Sequence, residues 1–122
     1  MKAAMAVLVP GCQRISVTQP VQMGDSQVTF VSVVPGDGKP DIPLHRHECA
    51  AVMVIRRGTA RVHNEIGELT DLVQKDDVVA KGPNQPHGFG EMSDDFAFMS
   101  ISENEGIFND DITVRDMEFV PA

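Results

Sequence analysis

The chain has 122 residues, 42% of them hydrophobic and 23% charged, a size and balance that predict one globular domain with a core needing no disulfide staples. The formal net charge is −8, with acids gathered late at Glu91, Asp94, Asp95, Glu103, Glu105, Asp110 and Asp111; such a balance repels phosphate backbones and anionic membranes and keeps a solvated surface. Trp and Tyr are absent and only six Phe are present, too few for the stacking platforms of single-stranded nucleic acid. The expected partner is a small molecule, with no nucleic acid and no membrane.

At the amino terminus, Lys2 and the apolar run Ala3 to Val9 precede Pro10-Gly11-Cys12, which has the outline of a lipoprotein signal. The apolar core is at the short end of the range of about 7–15 residues, and the proline suits a cleavage site badly. The segment therefore reads as an opening edge strand and the protein as cytoplasmic. No stretch approaches the ~20 apolar residues of a membrane-spanning helix. Cys12 and Cys49 make no disulfide framework.

Turn residues then punctuate the chain at Pro20, Gly24-Asp25, Pro35-Gly36-Asp37-Gly38, Gly58, Gly67, Lys75-Asp76-Asp77 and Gly82-Pro83. Between them lie runs rich in Val, Ile, Thr and Phe, predicted as strands over Gln27–Val34, Ala50–Ile55, Thr59–His63, Val78–Ala80 and Phe96–Ile101. No window sustains a helical period. Short strands at this spacing predict an all-β sandwich or barrel without a second domain.

Of four histidines in the chain, three fall in two places: His45 and His47 in Pro43–Gly58, and His87 in Pro83-Asn84-Gln85-Pro86-His87-Gly88-Phe89. On an extended strand, residues two apart share a face. The parity of positions 45, 47, 49, 51, 53 and 55 places His45, His47, Cys49, Ala51, Met53 and Ile55 on one face, the two imidazoles at its mouth. The other parity is charged at both ends, at Arg46, Glu48 and Arg56. The histidine face reads as a pocket, with three imidazoles as metal ligands.

These residues resemble the cupin family, whose motifs are Gly-x5-His-x-His-x3-4-Glu-x6-Gly and Gly-x5-Pro-x-Gly-x2-His-x3-Asn. His45, His47 and Gly58 match the first; Asp77, Pro83, Pro86 and His87 match the second. The resemblance covers essentially the whole chain and implies a double-stranded β-helix, the jelly-roll barrel, as a single domain over residues 1–122. Its core barrel spans about 27–102, with both terminal segments extending the sheets. The chain departs from the motifs at Ala51, where the glutamate ligand falls, and at Lys39 in place of the opening glycine. Asp76, Gly82, Asn84 and Glu91 stand where the second motif prefers Gly, Pro, Gly and Asn.

The resemblance implies a divalent metal held by His45, His47 and His87, its identity open among Fe, Zn, Mn, Ni and Cu. With Ala51 in place of the carboxylate, no anionic ligand offsets the metal charge, which favours an anionic or enolisable substrate that chelates it. Three residues stand as a further ligand or close neighbour. Glu48 lies on the opposite parity and needs a β-bulge to reach the metal; Cys49 is a thiolate candidate or a small buried hydrophobe; His63 is read as solvent-facing. Ala51, Met53, Ile55, Gln85, Phe89 and Met99 are expected as pocket wall or core, with Asn84 and Gln85 also shaping the turn before His87.

The expected function is that of a small metalloenzyme that chelates a small oxygenated organic substrate. Iron implies dioxygenase chemistry; zinc, nickel or manganese implies isomerase, cyclase or lyase chemistry. The alternative is a non-catalytic ligand-binding or sensing module. A homodimer is expected, as in many small cupins.

Overall fold

The computed structural model describes residues 6–121. Its strands in chain order are β1 (Ala6–Leu8), β2 (Ile15–Thr18), β3 (Val21–Met23), β4 (Ser26–Val33), β5 (Ile42–Arg46), β6 (Ala51–Arg57), β7 (Ala60–His63), β8 (Leu69–Val73), β9 (Val78–Lys81), β10 (His87–Gly90), β11 (Ala97–Glu103) and β12 (Glu118–Phe119). One sheet has seven strands in the order β1-β2-β4-β11-β6-β9, with β3 also paired to β4; the other has five, β12-β5-β10-β7-β8. Every pairing is antiparallel. The edge strand expected at Ala3–Val9 is seen as β1; its first three residues lie outside the described part. No helix among the described residues is long and apolar enough to cross a membrane.

The two sheets face each other across an apolar core. Alternation drives this: β4 reads intermediate, buried, intermediate, buried along its first half, and β6 does the same from Ala51 to Ile55. Phe89, Phe96 and Phe98 meet at the centre with ring centroids 5.2–5.7 Å apart, bridging β10 and β11. Burying each ring contributes about 1.5–3 kcal/mol. Gln27, 3% exposed, stitches the carboxy-terminal segment to β4. Its amide donates to the carbonyls of Glu105 and Phe108, and its oxygen accepts from the amides of Ile107 and Phe108.

The stretch read as one strand from His45 to Ile55 is two strands. The chain leaves the five-stranded sheet after Arg46, bends through His47–Ala50 and enters the seven-stranded sheet at Ala51. Burial nevertheless alternates through the bend, so the parity argument survives the change of sheet. Gly58 makes the next crossing, from β6 to β7, at φ 71°; a Cβ there would lie 2.6 Å from the Phe96 backbone, so only glycine fits.

The outer face of the seven-stranded sheet is apolar. Phe30, Met99, Val54 and Val78 form one cross-strand row; Val21, Val28, Ile101, Val52 and Ala80 form the next.

Candidate metal centre

His45 is the last but one residue of β5, His87 begins β10, and the two are register partners. Beyond them the register slips: Ile42, three residues before His45, faces Phe89, two residues after His87. This β-bulge turns both Ile42 and His45 inward, which simple alternation forbids. Pro43 sits within the bulge, where its missing N–H is tolerated. Gly88 lets the strands close there, since a Cβ would lie 2.5 Å from the Ile42 carbonyl oxygen and 2.9 Å from that of Pro43.

His47 follows in the bend between the sheets. The three rings are 3–7% exposed, with centroid separations of 4.3 Å for His45–His87, 4.7 Å for His47–His87 and 5.8 Å for His45–His47. One ligand nitrogen from each lies within 4.8 Å of the others.

Each ring is oriented through Nδ1, which donates to a backbone carbonyl two residues away. His45 bonds Pro43 at 2.9 Å, His47 bonds Cys49 at 2.7 Å and His87 bonds Gln85 at 2.8 Å. Carbonyls only accept, so every Nδ1 carries the hydrogen and every Nε2 presents a lone pair. The Nε2 atoms of His47 and His87 are 3.1 Å apart. That distance is a hydrogen bond only if one ring gives up its carbonyl bond or takes a second proton, which burial opposes. With all three carbonyl bonds kept and the rings neutral, it is two lone pairs meeting, an arrangement that calls for a cation between them. Zn–N bonds of about 2.0–2.1 Å place neighbouring ligand nitrogens about 3.0–3.4 Å apart, which the His47–His87 pair already matches. The donor set fits a divalent metal.

The rings are also held neutral. Burial pushes the His45 imidazole down to about 4, with His47 and His63 adding to it and the Pro43 carbonyl opposing. Burial and then the neighbouring His45 push His87 down to about 3, and burial lowers His47. Imidazoles that resist protonation keep their lone pairs for a metal at neutral pH.

The bend after His47 is clamped by carboxylates from the distant carboxy-terminal half. Asp116 accepts from the amides of Glu48 and Cys49 at 2.9 and 3.0 Å. Glu103, closing β11, accepts from the Ala50 amide at 2.7 Å. The Ala50 N–H belongs to the same peptide as the Cys49 carbonyl that fixes His47, so Glu103 and His47 sit at opposite ends of one peptide dipole. The sequence names Glu103 only as one of the surface acids and Asp116 not at all, and nothing local marks either for this role.

The other expected site residues separate cleanly. Ala51, Met53 and Phe89 line the cavity beside the histidines, and Ile55 is fully buried in the core. Glu48 is exposed, with only its amide engaged, so no bulge brings its carboxylate inward. Cys49 is buried, its thiol pushed up to about 12 by burial and then by Asp116. It packs in the hydrophobic core and lies outside the three-histidine group. His63 is half-buried and bonds the Gly67 carbonyl at 2.9 Å, outside the three-histidine group. Gln85 turns its side chain back to the Gly82 amide at 2.9 Å; its carbonyl orients His87, and its side chain is not part of the wall. Met99 lies on the outer face, because Phe98 and Ser100 take the inward positions of β11. Asp76 and Asn84, the departures from the motif's glycines, keep φ of 74° and 59°, a conformation that Asp and Asn tolerate best among non-glycine residues.

The cavity behind the histidines encloses about 50 Å³ between the sheets. Its walls are mostly aliphatic and aromatic, Ile42, Met53, Phe89 and Phe98 among them, with Thr29 and Ser100 as hydroxyl-bearing exceptions. On the other side of His47 a polar cleft opens, lined by Arg46, Glu48, Asn84 and Asp116.

No family model matches the sequence, and no curated protein matches it. Similarity appears in structure. The polyketide cyclase RemF from Streptomyces resistomycificus aligns with a TM-score of 0.67 at 18% identity, over 90% of this chain and 89% of that one. The cupin-2 domain Rru_A2000 from Rhodospirillum rubrum aligns at 0.67 and 14%, over 98% and 74%. An RmlC-like cupin from Shewanella frigidimarina aligns at 0.63 and 12%, over 84% and 86%. At these identities the likeness is one of fold, and the fold is the cupin jelly roll.

Proposed function

We propose that this protein is a small metalloenzyme in which His45, His47 and His87 hold one divalent metal and present it to a small oxygenated organic substrate in the barrel. The observation that carries the reading is the convergence of three neutral imidazoles, every Nδ1 tied to a carbonyl and two Nε2 lone pairs 3.1 Å apart. Buried polar atoms facing each other without a shared proton are costly unless something positive joins them.

When bound, the metal supplies Lewis acidity to a ligand oxygen, and with iron it also supplies reaction with dioxygen. The chain's own part is to orient and to exclude. The three carbonyls fix the ring planes and tautomers. The walls from Ile42 to Phe98 keep water from the reacting carbon skeleton and favour a substrate with an apolar body. Among the described residues the cavity lining holds no carboxylate, lysine or arginine, and its histidines are held neutral by burial, so proton transfer there relies on the substrate's own groups or on water. That same poverty of acid–base groups is the observation that favours the second reading, a ligand-binding module without turnover. The polyketide cyclase among the structural neighbours supports a cyclisation or related proton-transfer reaction over storage. A homodimer has its support in the apolar outer face of the seven-stranded sheet.

The test is elemental analysis of the protein purified without added metal or an affinity histidine tag, beside His87→Ala. Close to one metal per chain in the wild type and little in the variant is the expected result. No metal in either protein, even after anaerobic iron loading, overturns the proposal.

A further inference from the structure

Thr29 on β4 and Ser100 on β11 are direct cross-strand partners, and both line the cavity. They are 3% and 5% exposed, yet neither hydroxyl takes part in a hydrogen bond among the described residues. Among the described residues no sealed side-chain polar atom lacks a partner, so these two hydroxyls stay open to the cavity. The other buried hydroxyls behave differently: Ser16 bonds Ser32, and Ser102 reaches the Gln27 carbonyl. The inward row on one side of this pair is apolar, Val31 and Phe98, with Met53 beside Ser100; the row on the other side is Gln27 and Ser102, whose side chains both hydrogen-bond backbone carbonyls. Two hydroxyls kept inside an aliphatic chamber with nothing to bond are placed for a guest.

We propose that Thr29 and Ser100 form a second anchoring point for the substrate, taking a neutral hydroxyl or carbonyl oxygen other than the one that meets the histidines. The proposal rests on the three-histidine reading for the first oxygen and adds the second. The guest is uncharged there, because among the described residues no cationic side chain lines the cavity to match a carboxylate. It is therefore a small molecule with two oxygen functions joined by an apolar body, the walls covering the body and the pair fixing its length. A site built to bond a hydroxyl discriminates against the analogue that lacks it, since the site's own polar groups are then left dry.

The probe is a series of hydroxamic acids, which chelate divalent metals, bearing alkyl chains of increasing length with or without a terminal hydroxyl. Each binds zinc-loaded wild type and zinc-loaded Thr29→Val/Ser100→Ala, measured by calorimetry with zinc content checked. At one chain length the terminal hydroxyl tightens binding to wild type roughly 3- to 10-fold, the range of one or two hydrogen bonds. In the double variant that preference disappears, and the plain alkyl hydroxamate binds at least as tightly as it does to wild type, because no hydroxyl is left dry. A preference that is absent in wild type at every length, or that persists in the variant, overturns the anchoring role. A protein that takes up no zinc sinks the three-histidine reading instead. Thermal melting of the metal-free proteins still judges the pair in that case: unpaired hydroxyls predict a variant as stable as wild type or more so. A clearly lower midpoint shows that the hydroxyls hold the fold together, and overturns the proposal.

Discussion

Asp116→Asn tests whether carboxylates distant in sequence control the metal centre. The carboxylate accepts two backbone amides at 2.9 and 3.0 Å. Burial works against its charge, but the Glu48 and Cys49 amides hold it below the usual carboxylate range. An asparagine keeps one acceptor and turns an NH2 toward the other donor, so one of two charge-assisted bonds is lost and the other becomes neutral. Charged bonds contribute about 1.5–3 kcal/mol when buried; at this half-exposed position the loss comes to about 1–2 kcal/mol after solvent screening. Part of it falls on the bend that orients the Cys49 carbonyl, and so on His47. Partners that orient a ligand in this way typically change metal affinity about 10- to 100-fold, and a loss near 10-fold is expected here. Competition titration with a zinc-binding dye gives the affinity, and melting of the metal-free protein gives the stability. Glu103→Gln keeps an acceptor for Ala50 and should cost less than Glu103→Leu. If Asp116→Asn melts earlier yet binds zinc within twofold of wild type, the clamp serves the fold alone and the argument fails.

Two further outcomes follow from the same geometry. Metal-free protein should lose stability as the pH falls from about 6.5, the ordinary histidine value, toward 4. His45 and His87 titrate near 4 and 3 when folded, so across that window the unfolded chain binds more protons and is favoured. Urea midpoints at pH 7, 6 and 5 measure it. A flat profile, or one unchanged in a His45→Gln/His87→Gln variant, refutes the assignment. Gly88→Ala should cost about 1–3 kcal/mol through overpacking, because the new Cβ meets the Ile42 carbonyl oxygen at 2.5 Å. Since the strands it parts carry His45 and His87, zinc affinity should fall alongside the melting temperature; a variant losing stability with zinc binding intact contradicts the role given to the bulge.

The predicted strands were legible where β-branched runs lay between turn residues, as in β4, β6, β7, β9 and β11. They were missed or wrongly bounded where a strand carried proline or acids: β5 contains Pro43 and was run into β6, β8 carries Asp71, and β12 is Glu118–Phe119; β10, with glycine at alternate positions, was read only through His87. The histidine trio could be read because its spacing is local in each half. Thr29 and Ser100 were also within reach of parity, since Phe96, Phe98 and Ser100 alternate inward. Met99 drew attention only because it is apolar, and parity puts it outside. Ile42 could not be placed, because the bulge that turns it inward depends on Gly88 meeting Pro43 across two strands. Nor could Asp116, which reaches the Cys49 amide across 67 residues of sequence.

Ala51 is where these strands of argument join. The cupin motif places a carboxylate there; this chain has a methyl group, 4% exposed, on the cavity wall. Acids have not left the neighbourhood, but they act on the backbone. Glu103 and Asp116 together take the three amides of Glu48, Cys49 and Ala50, holding the bend that holds His47. A carboxylate bound to the metal would cancel one of its charges; carboxylates spent on amides leave the charge whole and keep the ligand in place. In the function proposed above, the result is a centre with three neutral ligands, a strong demand for an oxygen donor and a mostly apolar chamber in which to hold one. Restoring the ligand with Ala51→Glu should therefore tighten metal binding and weaken hydroxamate binding to the metal, as measured by calorimetry. A variant that gains on both counts would show that the charge left on the metal is not what draws the ligand in.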